Sequence, residues 1–425
     1  MAILALVMTN FTDDGRAAEP SQPPVRTTLR HVTTGADRLA ASGFALLAGK
    51  RVGLIANHTA RVGDEHLADL IARAPGVKLA AILAPEHGFR GAVEAGAKVG
   101  DDVDARTGAP VLSLYGATRK PTPQMLRGLD VLIFDIQDIG ARFYTYISTL
   151  GLAMQAAAEA GIPLIVLDRP NPLGGLDVSG FVREPAFNSF VGQYQIPIVH
   201  GMTVGELARM IAGERWLDGL QALDLQVVEM LGWTRDLRWP ATGRAWVATS
   251  PNIPTYASAL AYPGIGVVGE LAVNEGRGTP EPFTRFGARW LHAGEAARRL
   301  SAAGLPGVAF HAVRYRPRSI PHVATEPRFE GEDIGGVAIE IIDVDAYRPL
   351  EVGIHALVEV WRQAPAAVRD GLFPNPRMFR LIAGTERLVR MLRQGSRAEE
   401  IIASWHDEVE RFRVQRRPYL IYAAE

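Results

Sequence analysis

The first half of the chain alternates between short apolar runs and longer segments in which apolar residues recur with helical spacing. A short run with no polar face is typical of a strand that is buried on both sides, as in a parallel sheet. Such runs lie at 51–56, 79–84, 110–115, 131–134 and 164–167, and helical patterns lie at 64–74, 145–160 and 203–212. Strands separated by helices predict an α/β fold built on a doubly wound parallel sheet.

The second half follows a different pattern, which begins after the alternation breaks at 233–246. Helical spacing is found at 290–300, 355–364, 385–394 and 397–411, and strand patterns at 308–313 and 335–343. We therefore predict a doubly wound domain at 31–235 and a smaller, mixed α/β domain at 236–425. Residues 1–30 are predicted to be a leader or a disordered tail.

Polar side chains cluster directly after the apolar run at 131–134. Asp135, Gln137 and Asp138 come first, and Arg142 and Tyr144 follow a glycine. In open α/β sheets, ligands bind outside the carboxyl ends of the strands. Charged and amide groups are costly to bury at such an end unless a ligand or one another satisfies them. We therefore predict the active site at this strand end.

The other strands also end in polar residues, and parallel strands place these endings on one rim of the sheet. The candidates are Asn57 and His58 after the first run, Glu86 and His87 after the second, Asp168, Arg169 and Asn171 after the fifth, and His200 farther along. The second half contributes Asn252, Glu275 and Arg277. Arginines after strand ends or in glycine-rich turns are suited to bind a carboxylate through both arms of the guanidinium.

Glu86, at the end of the second apolar run, has two interpretations. It can be a rim carboxylate that pairs with a nearby arginine. Alternatively, apolar walls shield its carboxyl from water, and such a carboxyl could act as a general acid. Asp135 and Asp138 carry the same ambiguity, because an Asp after a buried strand often caps a turn or a helix. The pattern alone leaves both interpretations open.

The segment at 173–200 is irregular and rich in glycine and aromatic residues. At this length it is more typical of a functional loop than of a plain connector. We predict that it forms a wall or flap over the site and presents aromatic surface from Phe181, Phe187, Phe190 and Tyr194. A strand pair packed on the edge of the sheet is the alternative.

The composition excludes several classes of protein. A net charge of -1 over 425 residues gives no basic field to hold nucleic acid or an anionic membrane. The absence of cysteine excludes disulfides and thiolate chemistry. No apolar run approaches the roughly 20 residues of a membrane span. The short apolar run at 2–8 is compatible with a signal peptide that lacks its charged region, or with a tail. The predicted location is periplasmic or secreted, otherwise cytoplasmic.

The sequence contains no cofactor motif. No G-x-G-x-x-G follows the first strand, and neither G-x-x-x-x-G-K-[ST] nor G-x-S-x-G occurs. His58, His87 and His200 lack the close spacing of metal ligands. We therefore predict no metal, nucleotide or other cofactor, and a small-molecule partner.

Six motifs nevertheless occur in a fixed order along the chain. They are EHG at 86–88, DIQD at 135–138 with RFYTY at 142–146, DRPNP at 168–172, HGMT at 200–203, SPNIP at 250–254 and GRGT at 276–279. In this set the chain resembles the bacterial exo-β-N-acetylmuramidases of the NamZ type, from about residue 39 onward. The segment 269–274, just before the GRGT turn, departs from the pattern of that family, as does Thr284.

The resemblance implies a Rossmann-like N-terminal domain, a smaller mixed α/β C-terminal domain and a site in the cleft between them. It also implies release of N-acetylmuramic acid from the non-reducing end of peptidoglycan fragments, without a metal or nucleotide. By the same match, Glu86 is the leading catalytic carboxylate.

The chemistry of such a substrate fits the candidate residues. Glycoside hydrolysis needs an acid that protonates the leaving oxygen and a second group on the other face of the sugar. Glu86 is predicted to be the acid, and Asp135 or Asp138 the second group. The acetamido carbonyl of the substrate could instead be the nucleophile, and the sequence does not separate these routes.

The substituents of muramic acid call for further partners. The lactyl carboxylate calls for an arginine, for which Arg142 and Arg277 are the candidates. The N-acetyl group calls for polar donors and an apolar wall, for which Asn171 and Tyr144 are available. A two-lobed protein that binds anionic saccharides without chemistry is the alternative function.

Overall fold

The computed structural model describes residues 31–86, 88–90, 102–116 and 118–423. The predicted leader or tail at 1–30 and the candidate residue His87 lie outside these ranges. Across the described ranges, no helix combines the length and the apolar character needed to cross a lipid bilayer.

An open seven-stranded sheet forms the centre of the first domain. Its strands are β1 (Arg51–Ala56), β2 (Lys78–Ala84), β3 (Asp102–Val103), β4 (Pro110–Ser113), β5 (Val131–Asp135), β6 (Leu164–Leu167) and β7 (Leu225–Val228), in the order β3-β4-β2-β1-β5-β6-β7. All neighbours are parallel except the edge pair β3 and β4. Without β3 this is the strand order of a Rossmann fold. The predicted doubly wound parallel sheet is confirmed.

Successive residues of the central strands are buried on opposite faces of the sheet. On β5, Ile133 packs into one apolar cluster together with Leu54 of β1, whereas Leu132 and Phe134 pack into another. Helices α1 (Gly35–Ala41) and α2 (Leu67–Ala72) contribute to the first cluster, and α3 (Tyr146–Ala160) and α4 (Val204–Gly213) to the second. Because both faces are covered, the strands have no polar side.

The crevice for a ligand lies where β1 and β5 adjoin. The chain winds outward from β1 to β2 and β4 on one side, and from β5 to β6 and β7 on the other. Such a topological switch point leaves a crevice at the carboxyl ends of the strands. Ala56 pairs with Asp135 across these two strands, so both strands end at the same level of the sheet.

The second domain contains a three-stranded antiparallel sheet and most of the remaining helices. The strands are β8 (Arg285–Ala288), β9 (Val308–Tyr315) and β10 (Ile334–Ile341), in the order β8-β10-β9. The helices are α5 (Tyr256–Val268), α6 (Ala293–Ala302), α7 (Pro349–Gln363), α8 (Ala366–Arg369), α9 (Pro376–Ala383), α10 (Arg387–Arg393), α11 (Ala398–Ala403) and α12 (His406–Arg416). The smaller mixed α/β architecture predicted for this part of the chain is confirmed.

Two details of this domain were not predicted from the sequence. The helix expected at 397–411 is two helices, α11 and α12, and the buried Trp405 between them packs its ring against Phe181 at 5.2 Å between centroids. Helices α5 and α7 cross at Gly264 and Gly353. A Cβ built on Gly353 would lie 2.3 Å from the Cα of Gly264, so this crossing has no space for a side chain.

The end of the chain returns to the first domain. The hydroxyl of Tyr422 donates a hydrogen bond to Asp168 at 2.6 Å, directly after β6. Arg416 donates to the carbonyls of His200 and Gly201 at 2.9 and 2.7 Å. The two domains are therefore held together on the side of the C-terminal helices as well as at the cleft.

Candidate active site

A cavity of about 430 Å³ lies between the rim of the large sheet and the second domain. The first domain contributes Glu86, Tyr115, Arg119, Phe143, Tyr144, Thr145, Tyr146, Ser189, Phe190 and Val191; the second side contributes Ser250, Asn252, Ile253, Tyr262, Glu270, Arg277, Phe283, Met378, Leu381 and Ile382. Apolar walls with a few polar groups are typical of a small-molecule site. A larger groove, of about 990 Å³, lies against α12 and contains none of the strand-end candidates that line the first cavity.

Glu86 lies in the turn after β2, and its half-buried side chain lines the cavity. The hydroxyl of Thr145 donates a hydrogen bond to its Oε2 at 3.1 Å. The hydroxyl of Tyr115 also hydrogen-bonds the carboxyl. Burial, together with the charge of Glu86, raises the pKa of Tyr115 to about 12. Glu86 thus lies among hydroxyl groups that stay protonated.

Tyr144 and Tyr146 form the floor beside Glu86. Their rings pack edge to face at 5.0 Å between centroids. The hydroxyl of Tyr146 accepts from Asn57 and donates to the carbonyl of Thr249, both at 2.9 Å. The hydroxyl of Tyr144 donates to Oγ1 of Thr249, also at 2.9 Å. The candidate Asn57 therefore lies behind Tyr146. It does not line the cavity itself and contacts the lining through the hydroxyl of Tyr146.

The structure does not bring Asp135 or Asp138 into the cavity with Glu86. Asp135 is fully buried and forms an ion pair with Arg169, whose Nη2 lies 2.8 Å from its Oδ2. Asp138 accepts a hydrogen bond from the backbone N–H of Gly140 at 2.7 Å, and burial raises its pKa to about 7. Asp135 is engaged by Arg169 and Asp138 by the turn at Gly140, and neither lines the cavity, so neither is placed to act as the predicted second group.

Arg142 also differs from its predicted role. Its side chain is completely buried and donates to the carbonyls of Phe181, Ile196 and Ile382 at 2.6 to 2.8 Å. Burial lowers its pKa to about 9. With its donors directed at the backbone, this guanidinium ties the segment after β5 to the segment at 173–200 and to α9. It does not line the cavity and has no access to a ligand carboxylate there.

Most other rim candidates form the framework under the site. Gln137 donates to the carbonyls of Asp138 and Pro170, Asn171 donates to the carbonyl of Met202, and a ring nitrogen of His58 contacts the carbonyl of Ala248. Asp168 accepts from Thr203, Gly205 and Tyr422, and so supports the capping box at the start of α4. None of these four candidates lines the cavity.

His200 belongs to the same framework. Its Nδ1 accepts from the N–H of Met202 at 3.2 Å, and its Nε2 lies 3.9 Å from Oδ2 of Asp138. Burial, with Arg416 as the next cause, lowers the pKa of His200 to about 3. The imidazole is therefore neutral at ordinary pH.

The second domain supplies the one predicted arginine that lines the cavity. Arg277 forms an ion pair with Glu275, and its guanidinium carbon lies 5.1 Å from the centre of the Phe283 ring. Its side chain is still 40% exposed. Asn252 lines the cavity nearby and donates to the carbonyl of Val323 at 2.6 Å. Arg277 and Asn252 are thus available to a ligand.

The predicted wall at 173–200 is only partly a wall. Phe190 lines the cavity, and Arg119 stacks on it with its guanidinium carbon 4.3 Å from the ring centre. Phe181 and Tyr194 are buried in the core instead, where Tyr194 stacks on Trp216.

Sequence reasoning missed Tyr115, Arg119, Tyr262 and Glu270 as cavity residues. Tyr115 ends an apolar run, and that position could have identified it. Tyr262 lies within an apolar helix, where nothing distinguishes it from a core residue. Glu270 falls in the segment where the chain departs from the pattern of the family that it resembles.

Comparisons with known proteins agree with one another. The family described as exo-β-N-acetylmuramidase NamZ matches with its N-terminal part at residues 52–257 and its C-terminal part at 260–422. The peptidoglycan β-N-acetylmuramidase NamZ of Bacillus subtilis is 38% identical over 422 residues, which cover 99% of each chain. Two crystal structures of DUF1343 family proteins from Bacteroides fragilis are 40% and 34% identical, with TM-scores of 0.85 and 0.76. Each covers 93% of this chain and 99% of the other.

The matched residues span both domains and include every motif from 86 to 279. The likeness holds in sequence over nearly the full length and in structure at high overlap. The chain belongs to the NamZ family of exo-β-N-acetylmuramidases.

Proposed function

We propose that this protein is an exo-acting glycosidase that releases N-acetylmuramic acid from the non-reducing end of peptidoglycan-derived saccharides. The observation that carries the proposal is the position of Glu86 in a cavity with room for a single substituted sugar. Its volume of about 430 Å³ lies near the lower end of the range for ligand pockets, which is roughly 300–1,000 Å³. The family match and the curated relative support an enzyme and do not favour a non-catalytic binding protein.

Glu86 is the general acid of this proposal. It protonates the oxygen of the glycosidic bond as the bond to C1 breaks, so that the leaving sugar departs as a neutral alcohol. Thr145 and Tyr115 orient the carboxyl through their hydroxyl groups. Both lie on the first domain, and their positions are fixed by the start of α3 and the end of β4 respectively.

Arg277 binds the lactyl carboxylate of the substrate. It is a predicted arginine that lines the cavity, and its side chain is partly exposed although it pairs with Glu275. The rings of Phe283 and Phe190 provide apolar surface for the sugar face, and Asn252 provides a polar contact. Recognition of the acid group would distinguish muramic acid from glucosamine.

Two chromogenic substrates and one variant test the proposal. The wild-type protein should hydrolyse an aryl β-N-acetylmuraminide and leave the matching glucosaminide largely intact. Glu86→Gln keeps the shape of the side chain and removes the acidic proton, so kcat on an intact disaccharide should fall by about 10²–10⁴. A substrate with a good leaving group needs less protonation and should be affected less.

Asp138→Asn is the matched control, because Asp138 is a rim carboxyl outside the cavity. It should keep kcat within a few-fold of wild type. No hydrolysis of the muraminide by the wild-type protein, or near-normal disaccharide turnover by Glu86→Gln, would contradict the assignment.

A further inference from the structure

A second carboxylate, Glu270, faces the cavity from the side of the second domain. It follows the end of α5, and its partly buried side chain lines the cavity. Among the described residues its carboxyl has no hydrogen-bond donor and no ion-pair partner within bonding distance. Its oxygens are therefore available to accept a hydrogen bond from a ligand in the cavity.

The nearby cations leave these oxygens available. Arg328 and Arg277 are positive charges that act on Glu270 and lower its pKa. Arg328 donates to the carbonyls of Gly269, Leu271 and Val273, and Arg277 forms an ion pair with Glu275. Both guanidinium groups therefore act on Glu270 through space. Burial, with the charge of Glu275 in addition, nevertheless raises the pKa of Glu270.

Glu270 shares the cavity with the two residues that the proposed function assigns to the sugar. Glu86, Arg277, Glu270 and Tyr262 all line it. In a muramic acid ring the lactyl group is on C3, the acetamido group on C2 and the leaving oxygen on C1. With Arg277 at the lactyl group and Glu86 at the leaving oxygen, the acetamido group lies between them. Glu270 lines the same cavity as both residues and has an acceptor for the acetamido N–H.

We propose that Glu270 accepts a hydrogen bond from the acetamido N–H of the substrate and thereby directs the acetamido carbonyl at C1. This inference rests on the proposed function, because it uses the placement of the sugar between Arg277 and Glu86. Glu270 is then a catalytic residue that touches the substrate. The second group expected from Asp135 or Asp138 comes from the other domain.

The reaction proceeds in two balanced steps. The acetamido oxygen forms a bond to C1 while the glycosidic bond breaks, and Glu86 gives its proton to the leaving oxygen. The resulting oxazolinium ion keeps its N–H proton. Glu270 stabilises the positive charge of this ion. Glu86, now a carboxylate, removes a proton from water, and the hydroxide adds to C1 as the bond to the acetamido oxygen breaks. The configuration at C1 is retained.

Stereochemistry gives a test that needs no variant. Proton NMR of the wild-type reaction should show the β-anomer of N-acetylmuramic acid as the first product. A thiazoline analogue of the cyclic intermediate should inhibit the wild-type protein far more strongly than free N-acetylmuramic acid does. First formation of the α-anomer, or trapping of a sugar covalently on an enzyme carboxylate, would overturn the proposal.

Glu270→Gln tests the residue itself. It removes the negative charge, so kcat should fall about 10²-fold or more and inhibition by the thiazoline should weaken by a similar factor, while KM changes little. Glu332→Gln is the control: this partly exposed carboxylate pairs with Arg289 outside the cavity and should change neither value. Thermal unfolding of both variants checks that they fold.

The outcomes separate this inference from the proposed function. If the wild-type protein does not hydrolyse the muraminide, the proposed function fails. If it does, but Glu270→Gln keeps its rate and its inhibition by the thiazoline, only the role of Glu270 fails.

Discussion

At the scale of single residues, the site consists of carboxyl groups set among phenols. Burial is the largest cause that raises the pKa values of Tyr115, Tyr144, Tyr146 and Tyr262, and the charge of Glu86 contributes to each. These hydroxyl groups therefore stay protonated over the whole physiological range. They can orient oxygen atoms without exchanging protons with them, which leaves proton transfer to the carboxyls.

Arg277 provides a prediction at this scale. Replacing it with Ala should raise KM for the muraminide by about tenfold to a hundredfold, because a hydrogen bond to a charged group is worth roughly 1.5–3 kcal/mol. Discrimination against the glucosaminide should fall by the same factor. Steady-state kinetics on the two aryl glycosides measure both effects.

Arg289→Ala is a closely matched control for this variant. Arg289 also pairs with a glutamate, Glu332, and also lies over a phenylalanine ring, that of Phe329 at 5.2 Å. It is outside the cavity and should leave KM and the substrate preference unchanged. If Arg277→Ala keeps the wild-type preference for the muraminide over the glucosaminide, another group binds the lactyl carboxylate.

Asp138 and His200 provide a second prediction, about pH and stability. Asp138 has a raised pKa of about 7 in the folded protein, so its contribution to stability is present at low pH and is lost as pH rises from about 4 to 7. His200 has a lowered pKa of about 3, so its contribution is present above about 6.5 and is lost as pH falls. Between about pH 4 and 6.5, the stability contributed by Asp138 falls as pH rises, while the stability contributed by His200 increases.

Asp138→Asn should reveal this compensation. The variant keeps the pH dependence of stability that comes from His200 and loses the pH dependence that comes from Asp138. Its free energy of unfolding should therefore rise relative to wild type by up to about 1.4 kcal/mol per pH unit between pH 4 and 7. Urea unfolding of both proteins across this range measures the difference, in which all other titrations cancel. A difference that is independent of pH would refute the raised pKa of Asp138.

At the scale of elements, the sequence predicted where polar residues occur better than where they point. The runs at 51–56 and 131–134 are strands with both faces covered. Such strands have no polar face, and the lack of one can be seen in the sequence itself. It does not show that Asp135 meets Arg169 or that Arg142 turns toward three carbonyls. Those partners come from distant segments, and their positions depend on the packing of the whole fold.

The same limit applies to the second side of the cavity. Glu270 and Tyr262 reach the site because α5 crosses α7 at a pair of glycines, Gly264 and Gly353. A sequence pattern gives each helix but not their crossing. Glu270 could therefore be recognised as a cavity residue only once the two domains were placed together.

At the scale of the whole molecule, the C-terminal segment holds the domains together. Tyr422 connects the end of the chain to Asp168 on the rim of the large sheet and accepts a hydrogen bond from the N–H of Met230 at 2.9 Å. The cavity lies between the domains that this segment joins, so the contact of Tyr422 is part of what holds its two sides together.

Tyr422→Phe should measure the strength of that connection. The loss of the hydroxyl leaves a buried carboxylate with one donor fewer, at a cost of about 1–3 kcal/mol in the free energy of unfolding. Tyr419→Phe is the control, because its hydroxyl donates to the partly exposed Glu214 at 2.9 Å and should cost well under half as much. If urea unfolding shows an equal decrease in the free energy of unfolding for both variants, the contact with Asp168 contributes no more than the control contact with Glu214.

The size of the cavity has a consequence for how the protein would act on a polymer. A pocket that admits one terminal sugar engages a glycan strand only at its tip, however long the strand is. The rate on a fixed mass of glycan is then set by the number of strands and not by their total length. Each internal cut made by another hydrolase creates a new non-reducing end. The concentration of cleavable ends in the same mass of glycan therefore rises as the glycan is fragmented. This protein would work fastest late in the breakdown of a wall, on many short pieces.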